Sequence, residues 1–229
     1  MKLPICQRLL CCAAMLPPNA RVADLGTDHG YLPIYLAQHH LASAIFAADL
    51  RQKPLERAIR NARAFGVAEQ IDFRLSDGLS AFAPEEVDAV VCAGMGGDLI
   101  LHILASTPWL STQTLILQPQ SSGQDVRRYL CSHGFAIRAE RLVEEGGFLY
   151  SVLRAEPGES QPLSPGQQFI SPALRKSRDP LLPRQLSRLT ASLRKTLSNM
   201  AQGAVPPEKL RYYQTALREL EELMHGHCF

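Results

Sequence analysis

Residues 87–97 run Val-Asp-Ala-Val-Val-Cys-Ala-Gly-Met-Gly-Gly, a stretch apolar except for Asp88 that ends in three glycines within four positions. A short run with no polar alternation fits a strand covered on both faces. That in turn requires helices on both sides of a mostly parallel sheet. Each glycine costs roughly 0.5–1 kcal/mol of chain entropy relative to alanine. Three together point to a backbone that a bound molecule approaches closely, with amide N–H groups offered to it.

The rest of the first 155 residues repeats the same alternation of periods. Strands are expected at 21–25, 44–48, 71–75, 87–92 and 114–117, and helices at 31–40, 54–65, 99–105 and 126–132. Two further strands, 135–143 and 148–154, flank Glu144-Glu145-Gly146-Gly147, a hairpin signal. The expected fold is α/β: a doubly wound, Rossmann-like sheet of five β/α units closed by a hairpin, with one reversed edge strand. Composition then shifts. Residues 156–170 read as a linker rich in Pro, Gly and Ser, and 171–229 as a helical, coiled-coil-like unit. Leu182, Leu186, Leu189, Leu193, Leu197 and Met200 form one seam, and Leu210, Tyr213, Leu217, Leu220 and Met224 another. Gly203, Pro206 and Pro207 supply the turn within 202–207, giving a C-terminal α-helical hairpin.

The 24 basic and 22 acidic residues nearly cancel, so overall charge selects no partner. Between Ser164 and Met200, however, seven basic residues face Asp179 alone. The six cysteines, Cys228 among them, show no paired metal-ligand spacing; they read as small apolar groups in a reducing compartment, and no metal is expected. The N-terminal run around Leu9–Leu16 is interrupted by Arg8 and reads as a packed helix rather than a leader; the expected location is the cytoplasm.

Ligands of open α/β sheets bind beyond the carboxyl ends of the strands. Four loops leave that edge here. The first carries Asp24, Gly26, Thr27, Asp28, His29, Gly30 and Tyr31. Gly26 admits a ligand close to the backbone, and Asp24 suits the ammonium of a zwitterion. Asp24 and Asp28 also fit helix N-caps. The loop lacks the spacing of a nicotinamide-dinucleotide fingerprint. Asp49 ends the second strand, where a carboxylate can accept ribose hydroxyls. Asp77-Gly78 follows the third and is placed for an adenine ring or for a plain turn. Ala93, Gly94, Met95, Gly96 and Gly97 follow the fourth.

The runs DLGTDHGYLP (24–33), SDGL (76–79), AGMGG (93–97), LILQPQ (115–120) and EEGGFLY (144–150) resemble those of the bacterial tRNA (adenine(22)-N1)-methyltransferase family. The resemblance spans the whole chain. It implies a class I methyltransferase domain using S-adenosyl-L-methionine, tRNA as partner, and methylation of N1 of an adenine. With the loop positions read above, the expected cofactor contacts are Asp24, Gly26, Thr27, Gly30, Tyr31, Asp49, Asp77, Gly78, Ala93 and Gly94. Asp28, His29 and Met95 become the candidates for catalysis, with Gly96, Gly97 and Gln118 toward the acceptor base. Arg184, Arg188 and Lys195, opposite the leucine seam, become candidates for tRNA phosphates. Two other readings use the same residues: a small-molecule or protein methyltransferase, and an RNA-binding scaffold without activity.

Overall fold

The structure is a computed structural model that describes residues 2–201, 203 and 205–226. Gln202, within the expected turn, and Cys228 lie outside the described residues. Seven strands, β1 (Ala20–Leu25), β2 (Ala42–Asp49), β3 (Asp72–Leu75), β4 (Ala89–Met95), β5 (Thr114–Pro119), β6 (Phe135–Glu145) and β7 (Phe148–Pro157), form one sheet in the order β3-β2-β1-β4-β5-β7-β6. Strands β1 to β5 pair in parallel, and β7 runs antiparallel to both β5 and β6. The reversed strand is therefore inside the sheet and not at its edge, as the sequence reading had it. The hairpin places β7 between β5 and β6, where its apolar Val152, Leu153 and Ala155 gain cover, and all three are fully buried.

The hairpin turn forms where expected, with Gly146 and Gly147 both at positive φ (58° and 79°), the backbone that a tight two-residue connection demands. Helices α1 (Gln7–Ala14), α2 (Tyr31–Gln38), α3 (Gln52–Ala64), α4 (Gly97–Ser106) and α5 (Gly123–Ser132) flank the sheet. Val22, Val91 and Ile116 pack on one face with Leu32, Ile34 and Leu36 of α2; Leu25, Cys92 and Leu117 pack on the other with Ile100 of α4 and Leu130 of α5. The N-terminal segment is a packed helix, with Cys12 and Ala13 of α1 buried.

Part of the stretch read as linker is helical: α6 (Pro165–Phe169) starts at Ser164, whose hydroxyl accepts from the Gln167 amide while the Gln167 side chain returns the bond. A further helix, α7 (Pro172–Ser177), precedes the long pair α8 (Leu182–Met200) and α9 (Pro207–His225). Leu182, Leu186 and Leu193 of α8 meet Ala216 and Leu220 of α9 in a core that also takes in Leu142 of β6. A buried ion pair fixes this unit to the sheet. Arg127 of α5 binds Glu140 of β6 and donates to the Gln168 carbonyl. Burial alone would raise the Glu140 carboxyl, but the Arg127 charge and its hydrogen bonds hold it below the usual range. Among the described residues no helix is long and apolar enough to cross a membrane.

Candidate active site

A cavity of about 580 Å³ opens at the carboxyl ends of β1, β2 and β4. All four loops singled out in the sequence reach it. Asp24, Gly26, Thr27, Asp28, His29 and Tyr31 come from the first; Asp49 from the second; Asp77 and Gly78 from the third; and Ala93, Gly94, Met95 and Gly96 from the fourth, with Gln118 from the end of β5.

The floor is Asp24. Its carboxyl is buried and is pushed up to about 7, chiefly by burial; proximity to the Thr27 hydroxyl opposes that rise and the Asp49 charge adds to it. Thr27 Oγ1 is itself buried and has no hydrogen-bond partner among the described residues, so its pull on Asp24 is weak. A buried hydroxyl without a partner thus lies beside a buried carboxyl that has no ion pair among the described residues, a costly arrangement unless a bound molecule completes it. Neither Asp24 nor Asp28 caps a helix. The N-cap of α2 is Gly30, in the left-handed region, and no side chain bonds to that end.

Asp49 is also buried, and its Oδ1 accepts from the Arg51 amide at 2.9 Å, leaving Oδ2 for other donors. The third loop is organised by Ser76, whose hydroxyl donates to the Gly78 carbonyl and accepts from the Ala81 amide. This leaves Asp77 exposed at the rim.

The glycine run differs from its sequence reading in two ways. Strand β4 continues through Ala93 and Gly94 to Met95, with a register shift against β5 at Ala93/Met95 and Gly94 at φ 74°. Its amides do not form a free row of donors. Gly94 N–H donates to Gln118 Oε1 at 3.0 Å, and Gly97 N–H to the Ser121 carbonyl at 3.1 Å. Gly97 does not line the cavity, because it is packed against the loop after β5, where an added Cβ would lie 2.4 Å from the Ser121 oxygen. Gly30 is likewise off the cavity wall. It is a close contact between helices, its Cβ position 3.2 Å from the Ala58 backbone of α3. Both glycines were assigned to ligands from sequence, and both answer to packing. Gly26 does face the cavity, and its missing side chain makes room for the Met95 methyl, 2.5 Å from where a Cβ would be. The first and fourth loops therefore touch at Met95.

The outer half of the first loop is held by a neighbour that the sequence did not flag. Arg57 Nη1 of α3 donates to Asp28 Oδ1 at 2.8 Å and lies 3.4 Å from His29 Nε2. Asn61 Nδ2 donates to the His29 carbonyl at 2.8 Å, and the His29 ring stacks on Tyr31 at 5.1 Å. Asp28 has φ 40°, so the chain turns sharply and presents both side chains at the cavity rim. Arg8 of α1 was missed as well. It donates to Gln118 Oε1 at 3.2 Å and pairs with Glu145 of the hairpin, so Gln118 serves as a brace for Gly94 and Arg8 at the cavity wall. Helical spacing on α3, which puts Arg57 and Asn61 on one side, is the signal that could have found the first pair; no local pattern announces Arg8.

The C-terminal candidates lie elsewhere. Arg184, Arg188 and Lys195 are exposed on α8, and Arg184 is paired with Glu144 at 2.6 Å.

The chain matches the family described as "Methyltransferase domain" over residues 5–153. It is 32% identical to the tRNA (adenine(22)-N(1))-methyltransferase of Bacillus subtilis, covering 98% of this chain and 99% of that one. A Streptococcus pneumoniae structure in complex with S-adenosyl-L-methionine superposes with a TM-score of 0.83 at 32% identity, over 96% of this chain and 100% of that chain. The M. capricolum TrmK structure with S-adenosyl-homocysteine gives 0.75 at 26% identity, over 96% and 98%.

Proposed function

This chain belongs to the bacterial tRNA (adenine(22)-N1)-methyltransferase family, and from that premise we propose which of its residues carry the reaction. The enzyme transfers the methyl group of S-adenosyl-L-methionine to N1 of adenine 22 in tRNA. The observation that carries the assignment of residues is the unpartnered Thr27 hydroxyl beside the buried Asp24 carboxyl at the cavity floor.

These residues fit the cofactor. Asp24 is a buried carboxyl with no cation beside it, suited to the ammonium of the methionine moiety. Thr27 Oγ1 has hydrogen-bonding capacity to spare. Asp49 would hold the ribose hydroxyls, and Asp77 with Gly78 would meet the adenine ring. Ala93 and Gly94 line the same cavity as Gly26, and Tyr31 bounds it at the start of α2. The bound cofactor supplies a methyl group on a positively charged sulfur that becomes neutral on transfer.

The protein's task is then alignment, which can supply roughly 7–11 kcal/mol of a displacement barrier. N1 of neutral adenine already carries a lone pair, so no base is needed to create the nucleophile. N1 is on the pairing edge, so the base must leave its stack to be reached. Asp28 and His29 stand at the rim, where Asp28 accepts from the N6 amine as that group grows more acidic during methylation. Met95 and Gly96 form the opposite side of the slot.

The test is incubation of the purified chain with labelled S-adenosyl-L-methionine and unmodified tRNA, followed by nucleoside mapping. Label in 1-methyladenosine is the expected result. Label on protein alone, or none, would sink the reading and favour a protein methyltransferase or a silent RNA-binding chain.

A further inference from the structure

Helix α3 carries Lys53, Arg57 and Arg60 at steps of four and three, so the three project from one side. That side begins at the cavity rim. A second hollow of about 440 Å³, lined by Asp28, Arg51, Gln52, Lys53, Pro54 and Arg57, adjoins the main cavity and shares Asp28 and Arg51 with it. Arg51, Lys53 and Arg57 therefore line a polar hollow beside the slot assigned to the acceptor base, and Arg60 extends the same face of α3 beyond it. Among the described residues, Lys53 and Arg60 have no carboxylate within ion-pair distance. Arg51 is 76% exposed and reaches Asp49 only at 4.0 Å.

We propose that this face of α3 seats the RNA phosphates that flank the target adenine, and that Arg57 changes partners there. In the free protein Arg57 spends one nitrogen on Asp28; its other guanidinium donors are bonded to no protein group among the described residues. The pair is half exposed on both sides, 43% for Arg57 and 49% for Asp28, so solvent already weakens it. The two free oxygens of a phosphodiester offer the guanidinium a two-pronged contact, where Asp28 takes only one bond, from Nη1. An RNA backbone entering the hollow draws Arg57 away, and Asp28 is freed to accept from the adenine N6 amine. Acceptor binding and completion of the slot become one event. The inference rests on the methyl-transfer reading for the role of Asp28, while the phosphate seat stands on the placement of the cations.

The experiment measures binding of unmodified tRNA to the full chain without cofactor across a salt series, alongside methylation kinetics and cofactor affinity. Arg57→Gln is expected to weaken tRNA binding about tenfold, as loss of a charge-assisted contact does. The log–log salt slope should fall by roughly 0.7–0.9 for that one phosphate contact. Lys53→Gln and Arg60→Gln should each lower the slope too, with cofactor affinity unchanged in all three. Arg57→Lys should restore part of the binding, and the Arg57→Gln loss should persist in an Asp28→Ala background. A slope and affinity that stay at the wild-type values overturn the proposal, as does a loss that vanishes when Asp28 is already absent, since Arg57 would then be only a brace for Asp28. A wild-type chain that methylates no tRNA instead sinks the functional reading, which the same assay reports separately.

Discussion

Asp24 and Asp28 stand four residues apart on one loop and are kept in opposite electrical conditions. Asp24 is buried, lacks a cation and is pushed up to about 7. Asp28 is half exposed and paired with Arg57. On the proposed assignment, the cofactor end is thus built in advance, with polar groups held out of water before the ligand arrives. On the same proposal, the acceptor end is completed with a partner, Arg57, that can be exchanged. Preorganisation has a cost that the exchangeable end avoids. Between the ordinary 3.8 and about 7, the folded chain keeps a proton on Asp24 that the unfolded chain has released. Stability of the ligand-free protein therefore falls as pH rises through that window, by on the order of 4 kcal/mol once pH exceeds 7.

The largest effect expected from this contrast is at Asp24. Asp24→Asn should weaken cofactor binding by about 10²–10³-fold, because the cofactor ammonium would be buried against a neutral amide. The same variant should melt higher than the wild type at pH 8 without cofactor. A gain of about 2 kcal/mol is expected, less than the linkage figure because the amide must also be buried. Calorimetry and titration read the two together. A variant that binds normally, or that loses stability, breaks the contrast at its stronger end.

Asp28→Ala should act on the other side of the ledger. Turnover is expected to fall by about 10–10² while cofactor affinity stays within about twofold, since a positioned acceptor contributes to the transfer step and not to cofactor binding. Full turnover in Asp28→Ala would remove Asp28 from the chemistry and leave alignment to the backbone.

The pH dependence sharpens the comparison more gently. Cofactor affinity should be flat above about pH 7 and fall up to tenfold per unit below it, because Asp24 must lose its proton to meet an ammonium. Asp24→Asn should abolish that dependence. An affinity that is level from pH 5 to 8 in the wild type would show that Asp24 is not the ammonium's partner.

How much of this was legible in the sequence follows from whether the cause is local. Loop positions at strand ends were, because an acidic residue after an apolar run and a glycine after it are consequences of neighbours in the chain. The same local logic gave no sign that Gly30 and Gly97 are demanded by packing. A glycine required by Ala58 or by the Ser121 carbonyl looks, in sequence, the same as one required by a ligand. Arg57 and Arg8 went unnoticed for the complementary reason, since their partners, Asp28 and Gln118, are 29 and 110 residues away. The position of β7 was missed too, because two joined strands can be inserted into a sheet in either order and only the long-range match with β5 decides. Helix α6 was hidden by its composition, as Pro, Gly and Ser serve a linker and a capped helical turn alike.

The smallest predicted effect extends the distinction between fixed and exchangeable partners to α8. Arg184, Arg188 and Lys195 were grouped by spacing, yet Arg184 has Glu144 at 2.6 Å, with both side chains nearly half exposed. A surface pair of this kind contributes about 0–1 kcal/mol, so Arg184→Gln should change the melting temperature little. Its effect on tRNA depends on whether the pair opens. If Glu144 keeps Arg184, Arg184→Gln leaves the salt dependence of tRNA binding unchanged, whereas Arg188→Gln and Lys195→Gln, with no acidic partner among the described residues, each lower the slope by roughly 0.9 or less. We expect the second pattern for Arg188 and Lys195 and the first for Arg184. Equal slopes for all three would mean that Glu144 yields Arg184 to RNA as readily as Asp28 yields Arg57. The borrowed-partner arrangement would then be a property of the whole RNA-facing surface and not of the acceptor slot alone.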